Sequence, residues 1–115
     1  MLESTGDLVK YPLAIHAWDN TPRSGRNGLV LEGSNPEHFR SVLRRALDAR
    51  SDAPSEERLV FLKSWNELAE GNHLEPDLKF GHGYLEVIRQ ELAATGGSYV
   101  RNRLRRCQAH GVECA

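Results

Sequence analysis

The sequence predicts an α/β fold in which parallel strands are joined by helical crossovers. Three observations carry that prediction. The elements alternate strand, helix, strand, helix along the chain, the order that crossover-linked parallel strands produce. Both strands are nearly continuous in apolar residues, as expected where helices or a barrel interior cover both faces. Each helix carries a single apolar stripe at helical spacing.

The first strand is Pro12 to Trp18, and a loop rich in Gly and Asn follows from Asp19 to Ser34. Asn35 then caps a helix with Pro36 at its first position, where a missing N–H costs nothing. Phe39, Val42, Leu43, Ala46 and Leu47 form its stripe, with Arg40, Arg44, Arg45 and Arg50 on the other faces. Ser51 to Ser55 ends it. The second strand runs from about Arg58 to Trp65, and its run Leu59-Val60-Phe61-Leu62 reads as buried. An acidic loop continues to about Phe80-Gly81. The second helix spans about His82 to Ala94, with a stripe of Tyr84, Leu85, Ile88 and Leu92, and Gly96-Gly97 stops it. Residues 1–97 thus hold the strand–helix units, and 98–115 form a helical or disordered tail. Two strands cannot bury such a sheet alone, so the chain reads as part of something larger.

Composition narrows the function classes. The chain has 115 residues, 39% apolar and 27% charged, within the range of one globular domain. A net charge of −1 provides no electrostatic argument for nucleic acid. Arg101, Arg103, Arg105 and Arg106 read as a solvated helix face. No apolar run approaches the ~20 residues needed to span a bilayer. The acidic N-terminus lacks a signal-peptide core, so the expected compartment is the cytoplasm. Cys107 and Cys114 lack metal-site spacing and read as free thiols.

The most informative stretch is Trp65-Asn66-Glu67-Leu68-Ala69-Glu70-Gly71-Asn72-His73-Leu74-Glu75-Pro76. It crowds carboxylates, amides and an imidazole just past an apolar strand, although ionised groups resist leaving water. Glu67 and Glu70 are three apart and on a helical turn share one face. Such a carboxylate pair is the usual equipment for making or cleaving a glycosidic bond, if burial and mutual repulsion push the two pKa values apart. The bland alternative is a solvated helix start, where acids suit the dipole. Trp65 can floor a sugar site or sit in the core, and Asn66 can bind a hydroxyl or close a turn. His73 and Glu75 complete the polar set around the pair. Glu70-x-x-His73 also has di-iron spacing, but Gly71 and Asn72 interrupt a helix there. A second polar group, Trp18-Asp19-Asn20-Thr21-Pro22-Arg23, follows the first strand. If the strands are parallel, both groups lie at the same C-terminal edge, where α/β folds place their chemistry. Asp19, Asn20 and Arg23 can bind sugar hydroxyls; the alternative is an Asx-turn with Arg23 in solvent.

Together these two groups resemble the WbsX-type, glycoside hydrolase family 99-like domain. The likeness runs from about Tyr11 to Leu92 and is densest over the twenty-odd residues from Trp65 to Glu86. It implies the C-terminal fragment of a (β/α)₈ TIM-type barrel, with both motifs at the ends of its last strands. It implies action on glycans in polysaccharide or O-antigen metabolism, and an oligosaccharide or polysaccharide as substrate. Transfer would add a nucleotide-sugar donor; hydrolysis and transfer both remain open. In the related hydrolases the glutamate matching Glu67 is a base on the sugar 2-hydroxyl, which attacks the anomeric carbon of an α-mannoside. The one matching Glu70 protonates the leaving oxygen and later activates water. Trp18, Asp19, Asn20, Arg23, Trp65, Asn66, His73 and Glu75 are the expected sugar-binding residues, with no cofactor or metal.

Two departures from the family stand out. Leu68 occupies the place of a usual second Trp, and a full barrel needs roughly 250 residues. A lone chain with two or three strand–helix units would expose barrel surface and should aggregate, oligomerise or stay partly unfolded. Its alternative reading is a truncated non-catalytic remnant or a carbohydrate-binding fragment.

Overall fold

The computed structural model describes residues 8–96. Two short strands, β1 (Leu13–Ile15) and β2 (Phe61–Lys63), pair in parallel with Ala14 opposite Leu62. Between them lie a one-turn helix α1 (Thr21–Ser24) and the main crossover helix α2 (Pro36–Asp48). After β2 comes a small antiparallel hairpin of β3 (Asn66–Glu67) and β4 (Asn72–His73), closed by a 3₁₀ turn over Leu68–Glu70. Helix α3 (Gly83–Ala94) ends the described chain. The parallel pairing and the crossover helix are those the alternation predicts, although each strand is much shorter than its apolar stretch.

The start of α2 follows its sequence signal. Asn35 Oδ1 accepts the His38 N–H at 2.9 Å, satisfying one of the unpaired donors of the first turn. Phe39, Leu43, Ala46 and Leu47 are buried as the stripe requires, and Val42 lies at its exposed margin. Helices α2 and α3 pack together, and α2 packs against β1. Gly83 permits close approach of the two helix starts, because a Cβ there would lie 2.8 Å from the Pro36 side chain. His16, Phe39, Phe80 and Tyr84 form an aromatic cluster beneath this corner, with His16 and Tyr84 ring centroids 4.5 Å apart.

Two sequence expectations are corrected here. The run around β2 is not buried: Leu59, Phe61 and Leu62 are all exposed, and so is Leu13 opposite Phe61. The cause is that α2 packs against β1, so that even Leu62, opposite buried Ala14, stays exposed. Ala14 is buried against α2, whereas Leu13, Leu59 and Phe61 are largely exposed, and Tyr11 meets the Phe61 ring edge and the Arg50 guanidinium.

The stripe of α3 is also rotated. Tyr84, Val87 and Glu91 are its buried positions, and Leu85, Ile88 and Leu92 only flank the core. A carboxylate is tolerated there because two arginines reach it. Arg40 Nη1 donates to Glu91 at 2.9 Å, and Arg44 donates through Nε at 2.9 Å and Nη2 at 2.8 Å. Arg40 and Arg44 are therefore inter-helix partners rather than decoration on a solvent face.

These bonds, Arg44's first, hold the Glu91 carboxyl below its ordinary value of 4.5. A depressed folded-state pKa adds stability that is fully present above that value and is lost as pH falls through the folded one. Acid titration should therefore weaken the α2–α3 contact progressively below about pH 4.5. Glu91→Gln should flatten that limb of the stability–pH curve in denaturant melts, and an unchanged limb would contradict the assignment.

Candidate functional site

Both polar groups sit at the edge where β1 and β2 end, and the backbone ties them together. The Asp19 N–H donates to the Glu70 carbonyl at 2.9 Å. Asn72, fully buried, is the knot beneath. Its amide nitrogen donates to the Ala17 carbonyl beyond β1 and, at 3.2 Å, to the Lys63 carbonyl at the end of β2. Ser64 Oγ contacts the Asn72 carbonyl at 2.7 Å and its Oδ1 at 2.8 Å. The ends of both strands and the acidic hairpin are thus held by one side chain.

The expected helical turn bearing Glu67 and Glu70 does not form. Glu67 ends β3, and Glu70 closes the 3₁₀ turn. Gly71, at φ +60°, reverses the chain into β4. Only a residue without Cβ adopts that conformation freely. The two glutamates consequently differ. Glu67 is half-buried and lines neither of the two hollows described below, whereas Glu70 is only 3% exposed. Glu70 Oε1 pairs with the Arg23 guanidinium, and Oε2 is buried with no hydrogen-bond partner.

The residues of the Trp18–Arg23 group have mixed tasks. Asp19 accepts from the Thr21 N–H at 2.9 Å and its hydroxyl at 2.6 Å; the hydroxyl bond, then the amide, lowers its pKa below the usual value. Asn20 Oδ1 accepts the Leu29 N–H at 2.7 Å. These are the loop-closing roles of the Asx-turn alternative. Arg23 departs from that alternative, because its charge reaches Glu70 instead of solvent alone. Trp18 is half-buried under Lys63, whose Nζ lies 4.6 Å from the ring centroid.

Trp18, Asp19 and Glu70 share an open hollow of about 330 Å³ with Gly71 and Lys79. Trp65, Asn66 and Glu75 do not line it. Trp65 is 54% exposed and serves the fold through its carbonyl, which accepts from Leu74 at 3.0 Å and Glu75 at 3.2 Å. His73 lines an adjoining cavity of about 170 Å³ and contacts Asp77 at 3.2 Å.

Sequence reasoning missed Asn72, Ser64, His16 and Asp77. Asn72 had a signal: a polar side chain directly after a left-handed Gly in a hairpin is well placed to tie loops. His16 had only its position in an apolar strand. Among the described residues, no group of three or more His, Cys, Asp and Glu is arranged to hold a metal ion. No helix among them is long and apolar enough to cross a membrane. Cys107, Cys114 and the basic cluster Arg101–Arg106 lie outside the described residues.

Comparison with known proteins agrees with the family resemblance. The family model described as Glycosyltransferase WbsX matches residues 2–88. Two relatives named "Uncharacterized protein WxcX", from two strains of Xanthomonas campestris pv. campestris, are each 40% identical over 87 residues. That match takes in 75% of this chain and spans 12% of each relative's length. No solved structure matches the chain.

Proposed function

This chain belongs to the glycosyltransferase WbsX family, and from that premise we propose that it carries the acid/base part of a site that makes or cleaves glycosidic bonds. The substrate class is an oligosaccharide or polysaccharide of the lipopolysaccharide O-antigen type. In a transfer reaction a nucleotide-sugar would be the donor. Glu67 and Glu70 are the acid/base pair, and Trp18, Asp19 and Arg23 the nearest sugar-binding residues.

One observation carries this reading: Glu70 is buried with one oxygen unpartnered, at the wall of a hollow shared with an indole and a second carboxylate. A buried polar oxygen without a partner is uncommon and calls for an explanation; a ligand hydroxyl or leaving-group oxygen would supply one. Glu70 is buried beside the Arg23 guanidinium and Glu67 is half-buried, so the two carboxyl groups sit in different surroundings.

We also propose the (β/α)₈ barrel as the setting. In its support, β1 and β2 are parallel and leave Leu13, Phe61 and Leu62 exposed, apolar side chains that a barrel would cover. Further strands, or a second copy of the chain, would cover them.

The test is a product assay. Protein that contains this segment within its full-length gene product is incubated with nucleotide-sugar donors plus acceptor glycans, and separately with α-linked mannosides. A new or a cleaved glycosidic bond is expected. Saturable binding of oligosaccharide without any turnover would replace this reading with that of a carbohydrate-binding fragment.

A further inference from the structure

The cavity of about 170 Å³ beside the Glu70 hollow has a chemistry of its own. His16, His73, Asp77, Lys79, Phe80 and Tyr84 line it, and it shares Ala17, Ser34, Gly71 and Lys79 with that hollow. Two of its atoms are buried without a hydrogen-bond partner: His16 Nδ1 and His73 Nδ1.

The other nitrogen of each ring fixes the tautomer. His16 Nε2 lies 2.8 Å from the His73 carbonyl, which only accepts, so Nε2 carries the proton. His73 Nε2 lies 3.2 Å from an Asp77 carboxylate oxygen, which accepts in the same way. Asp77 is itself held by the Phe80 N–H and, at 2.8 Å, the Lys79 N–H. In the neutral rings both Nδ1 atoms are therefore bare acceptors. His16 is only 5% exposed, and burial lowers its pKa, against the opposing pull of nearby carbonyls.

Both rings line the cavity, and each carries a buried Nδ1 that a donor would satisfy. An anion is disfavoured by the lone pairs and by Asp77, and the nearest ammonium, Lys79 Nζ, sits over the Phe80 ring at 4.8 Å. A metal ion lacks a third ligand among the described residues. A neutral polyol fits: hydroxyls donate, and the Tyr84 and Phe80 rings provide an apolar wall for sugar C–H groups, the mix that ligand sites show. Each water needs ~10–15 Å³, so the cavity has room for a cluster of hydroxyls.

We propose that this cavity is a second sugar subsite, in which two hydroxyls of one neutral pyranose donate to His16 Nδ1 and His73 Nδ1, with Asp77 orienting His73. The assignment rests on the glycan reading of the neighbouring hollow and extends it by one sugar unit.

The test is nuclear magnetic resonance of the ¹⁵N-labelled full chain, reading both ring nitrogens of each histidine. The probes are the methyl glycosides of mannose, glucose, galactose and N-acetylglucosamine, and their fully O-methylated forms, which cannot donate. At least one free-hydroxyl glycoside is expected to move both Nδ1 resonances saturably, and no O-methylated form should do so. His16→Phe and His73→Phe should each weaken binding by roughly threefold to tenfold, the worth of one neutral hydrogen bond. No response to any glycoside, or equal response to the O-methylated forms, overturns the proposal and leaves a cavity filled by water only. Should the variants fail to fold, the comparison of probes on the unaltered chain still decides. Glu70→Gln separates the two readings: lost turnover with unchanged histidine responses keeps both, responses without any turnover keep only the subsite, and turnover without responses keeps only the acid/base pair.

Discussion

Replacing Glu70 with Gln is expected to lower turnover on a responsive glycan substrate by roughly 10²–10⁴-fold, the usual worth of one acid/base group. The substitution keeps the volume of a side chain that is only 3% exposed, so the hairpin should survive. It removes the titratable carboxyl and with it the charge that Arg23 pairs with. The effect should fall mainly on kcat, because Gln still offers an oxygen to a ligand hydroxyl. Glu67→Gln should give a loss of the same order if Glu67 supplies the base. Measured rates within about twofold of the unaltered protein for both variants would remove the pair from the proposed mechanism. Unfolding curves of each variant distinguish lost chemistry from lost structure.

Asn72→Ala is expected to have the largest effect on stability. Asn72 is fully buried, and its amide serves the Ala17 and Lys63 carbonyls while its own oxygen meets Ser64. Alanine leaves the two carbonyls without this donor, while the Ser64 hydroxyl keeps the backbone carbonyl of residue 72 at 2.7 Å. Each unsatisfied buried group costs about 1–3 kcal/mol, and water entering the gap would recover part of it. A net loss of about 3 kcal/mol is expected in denaturant unfolding, a large share of the margin of a small domain. A loss under about 0.5 kcal/mol, the range of ordinary surface substitutions, would show that the strand ends do not depend on this knot. Asn72→Asp should be nearly as harmful, because a carboxylate cannot donate to two carbonyls.

How far these features were legible in the sequence depends on the range of the interaction involved. Asn35, Pro36 and the stripe of α2 are local signals, and helix α2 formed where they point. The parallel pairing was legible from element order alone. The burial of Glu91 was not, since its partners Arg40 and Arg44 lie about fifty residues upstream on another helix. A spacing of three suggested a shared helical face for Glu67 and Glu70, but left-handed Gly71 and the pairing of β3 with β4 override it. Periodicity reports a face only when a helix is present to have one. The contact of Arg23 with Glu70 joined two motifs that the sequence could place at one edge but not in register. His16 received no site role from the sequence because a lone histidine in an apolar strand has no local signature of an unpartnered ring nitrogen.

The hydrogen bond from the Asp19 amide to the Glu70 carbonyl links two loops that are distant in the chain. That amide exchanges its proton with solvent only when the bond opens, and the bond opens only when the turn carrying Glu70 lifts from the loop after β1. Deuterium uptake at this single backbone position therefore clocks the breathing of the hairpin. A ligand seated against Glu70 would slow the clock, and anything that pries the two loops apart would quicken it.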